Sequence, residues 1–142
     1  MQQEVKLIVA TDEHYAELAF FNKCLIDDGG CNNDMSLQEL ECRMREFISS
    51  EDYVLVIFEV GNKHIGYTLI NKNKMPMFIR HYFIAKEFRR KGYGSSAFAK
   101  LVDYLKVDKI DLSVLAHNEI GFKFWQRCGF TPYETIMHFR MN

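Results

Sequence analysis

Proline is scarce. Only Pro76 and Pro132 interrupt the 142 residues, so helices and strands end where their own capping and turn chemistry stops them. Charge of one sign is lacking too: 18 Lys and Arg stand against 19 Asp and Glu, a net charge of -1. That balance removes the overall attraction by which proteins are drawn to nucleic acid or to an anionic membrane. Cys24, Cys31, Cys42 and Cys128 form no Cys-x-x-Cys pair, and neither His117 nor any other histidine stands within nine residues of one of them. The spacing argues against a metal centre and a disulfide framework, which leaves reduced thiols. On the apolar side of a late helix, Cys128 reads as a packing residue ahead of a nucleophile. No apolar run approaches a membrane span, and the opening residues Met1 to Lys6 lack a basic region followed by an apolar one. The expectation is a soluble, cytoplasmic protein that binds neither nucleic acid nor membrane. With no repeat and no low-complexity segment, residues 1–142 read as a single domain.

What is present is regular periodicity in short blocks. Val5 to Val9 reads as a strand, and Thr11 or Asp12 caps a helix running through Cys24 to Asp27 with Tyr15, Leu18, Ala19 and Leu25 on one stripe. Asp28-Gly29-Gly30-Cys31-Asn32-Asn33-Asp34 is turn chemistry. Ser36 with Glu39 then forms a capping box for a helix carrying Leu37, Leu40, Met44, Phe47 and Ile48. Val54 to Val60 and His64 to Ile70 flank Gly61-Asn62-Lys63 as an antiparallel hairpin, and Met77 to Ile84 follows as the next strand. Beyond it lie a helix, a strand over Ile110 to Val114, a helix over Asn118 to Arg127 and an alternating final strand over Glu134 to Arg140. The element order is βααβββαβαβ, a mixed α/β (α+β) class.

The chain is organised around Tyr82 to Leu105. A short aromatic and β-branched run leads into Arg89-Arg90-Lys91-Gly92-Tyr93-Gly94-Ser95, and apolar residues at 97, 98, 101, 102 and 105 then follow a helical period. Strand, basic turn and helix start make an anion site, because the first helical N–H groups have no internal partner and the helix dipole is positive there. Glycine lets phosphates approach the backbone closely. The run is neither a Walker loop nor a Gly-x-Gly-x-x-Gly fingerprint.

Arg89-x-x-Gly92-x-Gly94 resembles the Arg/Gln-x-x-Gly-x-Gly/Ala signature of the GNAT superfamily of N-acetyltransferases. Asn118-x-x-Gly121-x-x-Phe124-Trp125-x-x-x-Gly129-Phe130 resembles its second landmark, and the two motifs stand in the right order about 25 residues apart. The resemblance is strongest over Ile79 to Phe130. It implies a twisted mixed sheet flanked by helices and an acetyl-CoA-dependent transfer to a primary amine of a small molecule or protein. It also implies cofactor contacts at Phe83, Ile84, Arg89, Arg90, Lys91, Gly92, Tyr93, Gly94, Ser95, Asn118 and Phe124. The implied partners are acetyl-CoA and an amine acceptor, with a homodimer compatible.

Two departures from the family pattern bear on catalysis. Lys74 to Ala85 contains no acid where relatives often carry Glu, which leaves His81 as the titratable base on that strand, or else as an ordinary strand-surface histidine. Trp125 replaces the family's Tyr, and an indole N–H orients or shields a sulfur without acting as a general acid. Asp27, Asp28 and Asp34 read either as a solvated turn or as an attraction for a cationic acceptor. The missing acid also motivates a second function class, a catalytically weak or inactive acyl-CoA-binding regulatory module.

Overall fold

Backbone pairing decides the order of the layers. In the computed structural model, which describes residues 3–29 and 33–141, five strands form one sheet in the order β1-β2-β3-β4-β5. These are β1 (Val5–Val9), β2 (Tyr53–Val60), β3 (Lys63–Asn71), β4 (Met77–Ile84) and β5 (Ile110–Leu112), with α1 (Tyr15–Gly29), α2 (Leu37–Ser49), α3 (Tyr93–Leu105) and α4 (Glu119–Arg127) as the helices. The first four strands are antiparallel neighbours, whereas β5 runs parallel to β4. The hairpin turn takes its positive φ at Gly61. The Ser36–Glu39 capping box forms, with Glu39 N–H donating to Ser36 Oγ at 3.2 Å and Ser36 N–H donating to Glu39 Oε1 at 2.9 Å.

The sheet has a core on each face. Against one, α1 and α2 bury Leu18, Phe21, Leu40 and Met44 over Leu55, Ile57, Tyr67, Leu69 and Phe83. Against the other, α3 buries Ala97, Phe98 and Leu101 over Val56, Phe58, Ile70 and Ile79, with Trp125 and Phe130 packed alongside. Strict alternation would set Ile79 and Phe83 on the same face. They lie on opposite faces because the β3–β4 register slips between Leu69 and Ile70, where His81 pairs with Leu69 and Ile79 with Ile70. Arg80 is the extra residue of this bulge, and a bulge bends the strand that carries it. At the far end of the same ladder a Cβ on Gly66 would stand 1.9 Å from the Phe83 carbonyl oxygen, so the close approach of β3 to β4 requires glycine there.

Three expectations are corrected. The acids expected in a turn after α1 are partly helical: Asp27, Asp28 and Gly29 complete α1, while Gly30, Cys31 and Asn32 lie outside the described residues. The strand expected over Ile110 to Val114 ends at Leu112. The final strand over Glu134 to Arg140 is absent. That segment has the alternation of a strand but no ladder partner among the described residues, and Tyr133, Ile136, Met137 and Phe139 are all exposed. Alternation makes a segment able to pair; only a neighbouring edge makes it a strand.

Candidate active site

The bulge opens the sheet. β5 pairs with β4 only through Met77, Phe78 and Ile79, so the end of β4 has no strand on that side. Ala85 N–H donates to the Ile65 carbonyl at 2.7 Å, and alternation then turns the peptide groups of Phe83 toward β3 and those of Tyr82 and Ile84 toward the opening. Of Phe83 and Ile84, both expected to contact the cofactor, Ile84 faces the opening, and Phe83 is buried against Phe21 and Tyr67.

The opening runs to the start of α3. Gly92 caps that helix in the left-handed region, φ 83°, which glycine adopts without a Cβ penalty. The first helical bond is Ser96 N–H to the Gly92 carbonyl at 3.1 Å, so the N–H groups preceding it point out of the helix unpaired by it. A Cβ on Gly94 would stand 3.0 Å from Phe124 Cε1, and the Tyr82 hydroxyl donates to the Gly94 carbonyl at 2.7 Å. Gly94 therefore lets α3 and α4 meet as well as leaving space outside. Arg90, exposed and at φ 62°, and Lys91, whose Nζ lies 5.9 Å from the Phe88 ring, flank this turn. Tyr93 rests on Phe88, and the Ser95 side chain bonds that of Cys128. Burial pushes the Cys128 thiol up, which fits packing rather than nucleophilic work.

Arg89 does something different from its two basic neighbours. Its Nε donates to the Ile84 carbonyl at 2.7 Å and its Nη2 to Asp28 Oδ2 at 2.6 Å. It braces the turn against β4 and α1 from within. Asp28 is thereby committed to Arg89, and Asp27 lies 3.9 Å from Lys23 Nζ on the exposed side of α1. Neither faces an acceptor pocket, because helix periodicity carries both away from it; Asp34 is likewise exposed.

Below the opening lies a cleft of about 320 Å³ whose wall includes Asn22 of α1, Arg43 of α2, Arg80, His81 and Tyr82 of β4, Ser113 after β5, and Asn118 and Trp125. Among the described residues no Asp or Glu lines it. Asn118 caps α4, its Oδ1 accepting from Gly121 N–H at 3.0 Å. His117 Nε2 reaches the Gly29 carbonyl at 3.1 Å, tying the approach to α4 to the end of α1. Trp125 lies both on the cleft wall and in an aromatic cluster, with ring centroids 4.8 Å from Tyr82, 5.5 Å from Phe98, 4.7 Å from Phe124 and 5.2 Å from Phe130.

His81 lines the cleft, but its surroundings oppose a base. The Tyr67 hydroxyl is 3.0 Å from His81 Nδ1, which ties the ring to β3. Burial, then the Arg43 and Arg80 charges, push the His81 pKa down to about 3. A ring that stays neutral down to about pH 3 is a weak base, which argues against the expected role as general base. Asn22, Arg43 and Arg80 escaped the sequence reading. Only the bulge at Arg80 carried a signal, and a bulge is invisible without its partner strand.

A strand splayed from its parallel neighbour beside a glycine-capped helix start defines a fold that receives an extended ligand with an anionic end. The acetyltransferase (GNAT) family model matches residues 9–130, and the chain belongs to that family of N-acetyltransferases. A solved aminoglycoside N-acetyltransferase in complex with CoA has a TM-score of 0.79 at 14% identity, with 99% of this chain and 97% of that one covered. An aminoglycoside antibiotic 6'-N-acetyltransferase from Acinetobacter baumannii gives 0.74 at 14%, covering 97% and 98%. A ribosomal-protein-alanine N-acetyltransferase from Brucella melitensis biovar Abortus 2308 gives 0.73 at 12%, covering 96% and 99%. At these identities the likeness is one of fold. No curated protein matches the chain significantly. Among the described residues no helix is long and apolar enough to cross a membrane, and no group of three His, Cys, Asp or Glu is placed to hold a metal.

Proposed function

We propose that residues 1–142 form one acetyl-CoA-dependent N-acetyltransferase domain in which a primary amine attacks the acetyl group directly while both substrates are bound. The observation that carries this reading is the splay of β4 from β5 beyond Ile79, which joins the α3 N-terminus to the cleft along the outward-facing peptide groups of Tyr82 and the Ile84 N–H. Acetyl-CoA supplies the activated acyl group as a thioester. The first-turn N–H groups of α3, with Arg90 and Lys91, suit its pyrophosphate. The Ile84 N–H suits the carbonyl oxygen as charge develops on it. A C–N bond forms as the C–S bond breaks, the nitrogen releases its surplus proton to water, and the departing thiolate takes one from water, since Trp125 has none to give at neutral pH.

With no carboxylate on the cleft wall and His81 neutral, the amine arrives already deprotonated from solvent. Turnover at low amine concentration therefore rises with the free-amine fraction, without a titration near 6.5. The aminoglycosides named for two structural neighbours are polycations, and a cleft carrying Arg43 and Arg80 disfavours them. Setting acetyl-CoA with a broad amine panel and following thiol release tests the reading. CoA binding without release from any amine would instead support the non-catalytic acyl-CoA-binding module, which the absent base motivates.

A cytoplasmic setting, where acetyl-CoA is at hand, belongs to the same proposal. So does a homodimer in which the exposed 134–140 segment pairs with the β5 edge of a second copy; sedimentation of the chain with and without residues 131–142 tests it.

A further inference from the structure

The acceptor side of the cleft is cationic, and its charge is uncompensated. Arg43 comes from α2 and Arg80 is the bulge residue of β4, and the two guanidinium carbons lie 5.4 Å and 5.3 Å from the centroid of one ring, Phe47. Arg43 Nη1 is 3.6 Å from Met35 Sδ, and Arg80 Nη1 donates to the Tyr53 hydroxyl at 2.9 Å. Neither makes a salt bridge among the described residues. On α1, Asp28 is paired with Arg89 and Asp27 with Lys23. Arg43 is half-buried. Holding it beside a second cation costs hydration and mutual repulsion, and both costs fall when an anion enters. Guanidinium groups offer paired N–H donors that match carboxylate and phosphate oxygens.

We infer that the acceptor is a small amine that also carries a carboxylate or phosphate, with the anionic group held by Arg43 and Arg80 and the amine directed to the opening beside Ile84. The inference rests on the acetyltransferase reading and narrows it to a substrate class. The cleft volume of about 320 Å³ suits a small metabolite, near the lower end of the roughly 300–1,000 Å³ usual for ligand sites. Phe47 fixes the two cations rather than contacting the acceptor. A multiply cationic amine meets like charge at the same place.

The test uses matched pairs and separates binding from turnover. Acceptor binding to the CoA complex is measured by calorimetry for amino acids against their methyl esters, for phosphoethanolamine against ethanolamine, and for spermidine. The anionic member of at least one series should bind tenfold or more tightly than its neutral partner, and the series that does so distinguishes carboxylate from phosphate. Arg43→Gln and Arg80→Gln should each cut that preference severalfold with CoA affinity unchanged, and Arg43→Lys should keep part of it. Thermal melting verifies that each variant is folded. Equal or weaker binding of every anionic member, or a preference that survives in the folded double variant, overturns the inference. Preferential binding of anionic amines without thiol release from acetyl-CoA would leave the inference standing and sink the acetyltransferase reading instead.

Discussion

The two halves of the site are built from different materials. The proposed cofactor side uses backbone: the N–H groups opening α3, the outward-facing peptide groups of Tyr82 and the Ile84 N–H, and glycines that keep side chains out of the way. The acceptor side uses side chains, and they come from α1, α2 and β4. A backbone site tolerates change in most of its side chains and announces itself in a short motif. A side-chain site assembled across the fold is altered by one substitution and leaves no motif. The two sides meet at β4, whose bulge shapes both.

Variants that strike the meeting point should erase the contrast and have the largest effect. Gly66→Val drives a side chain into the Phe83 carbonyl, and backbone cannot yield as a flexible side chain can. The chain should lose most of its stability, read as little folded protein by circular dichroism and no binding of either substrate. Trp125→Ala comes next. It removes a ring packed against four others, and large-to-small aromatic changes cost about 3–5 kcal/mol, so chemical denaturation should show a loss of that order. Trp125→Tyr should retain most of that stability and the affinity for CoA.

Two smaller effects should sharpen the contrast. Gly94→Val presses on Phe124 at the meeting of α3 and α4, and overpacking costs about 1–3 kcal/mol. CoA affinity should fall tenfold or more in calorimetry while acceptor discrimination stays as in the wild type. On the acceptor side, His81 is held neutral with its pKa at about 3, against about 6.5 in an unfolded chain. Between those values the unfolded chain binds a proton that the folded chain does not. This contribution is therefore complete above about pH 6.5 and is lost as the pH falls toward 3, at up to about 1.4 kcal/mol per pH unit. Urea unfolding at pH 7 and pH 4.5 should show a smaller drop for His81→Gln than for the wild type.

The smallest effect is expected at Asp28. Its pair with Arg89 is exposed, and such pairs contribute about 0–1 kcal/mol. Asp28→Asn should leave the acceptor KM unchanged, and a raised KM for a cationic amine would restore the attraction suggested by the acids around α1.

The chain's own residues by themselves determined the order of elements through α4, the Ser36–Glu39 cap, the hairpin at Gly61 and the glycine-capped start of α3. Each depends on hydrogen bonds and torsions within a few neighbouring residues, so the local sequence carries the whole cause. Tertiary structure decided the rest. Whether 134–140 is a strand depends on a partner edge, which no residue inside the segment supplies. Arg89 leans across the surface to α1 and β4 because Asp28 and the Ile84 carbonyl are there to receive it. The charge of His81 is set by burial first and then by Arg43, brought in from α2, together with its own neighbour Arg80. Arg80 reaches the cleft because β4 slips one residue against β3, and register is a property of two strands together.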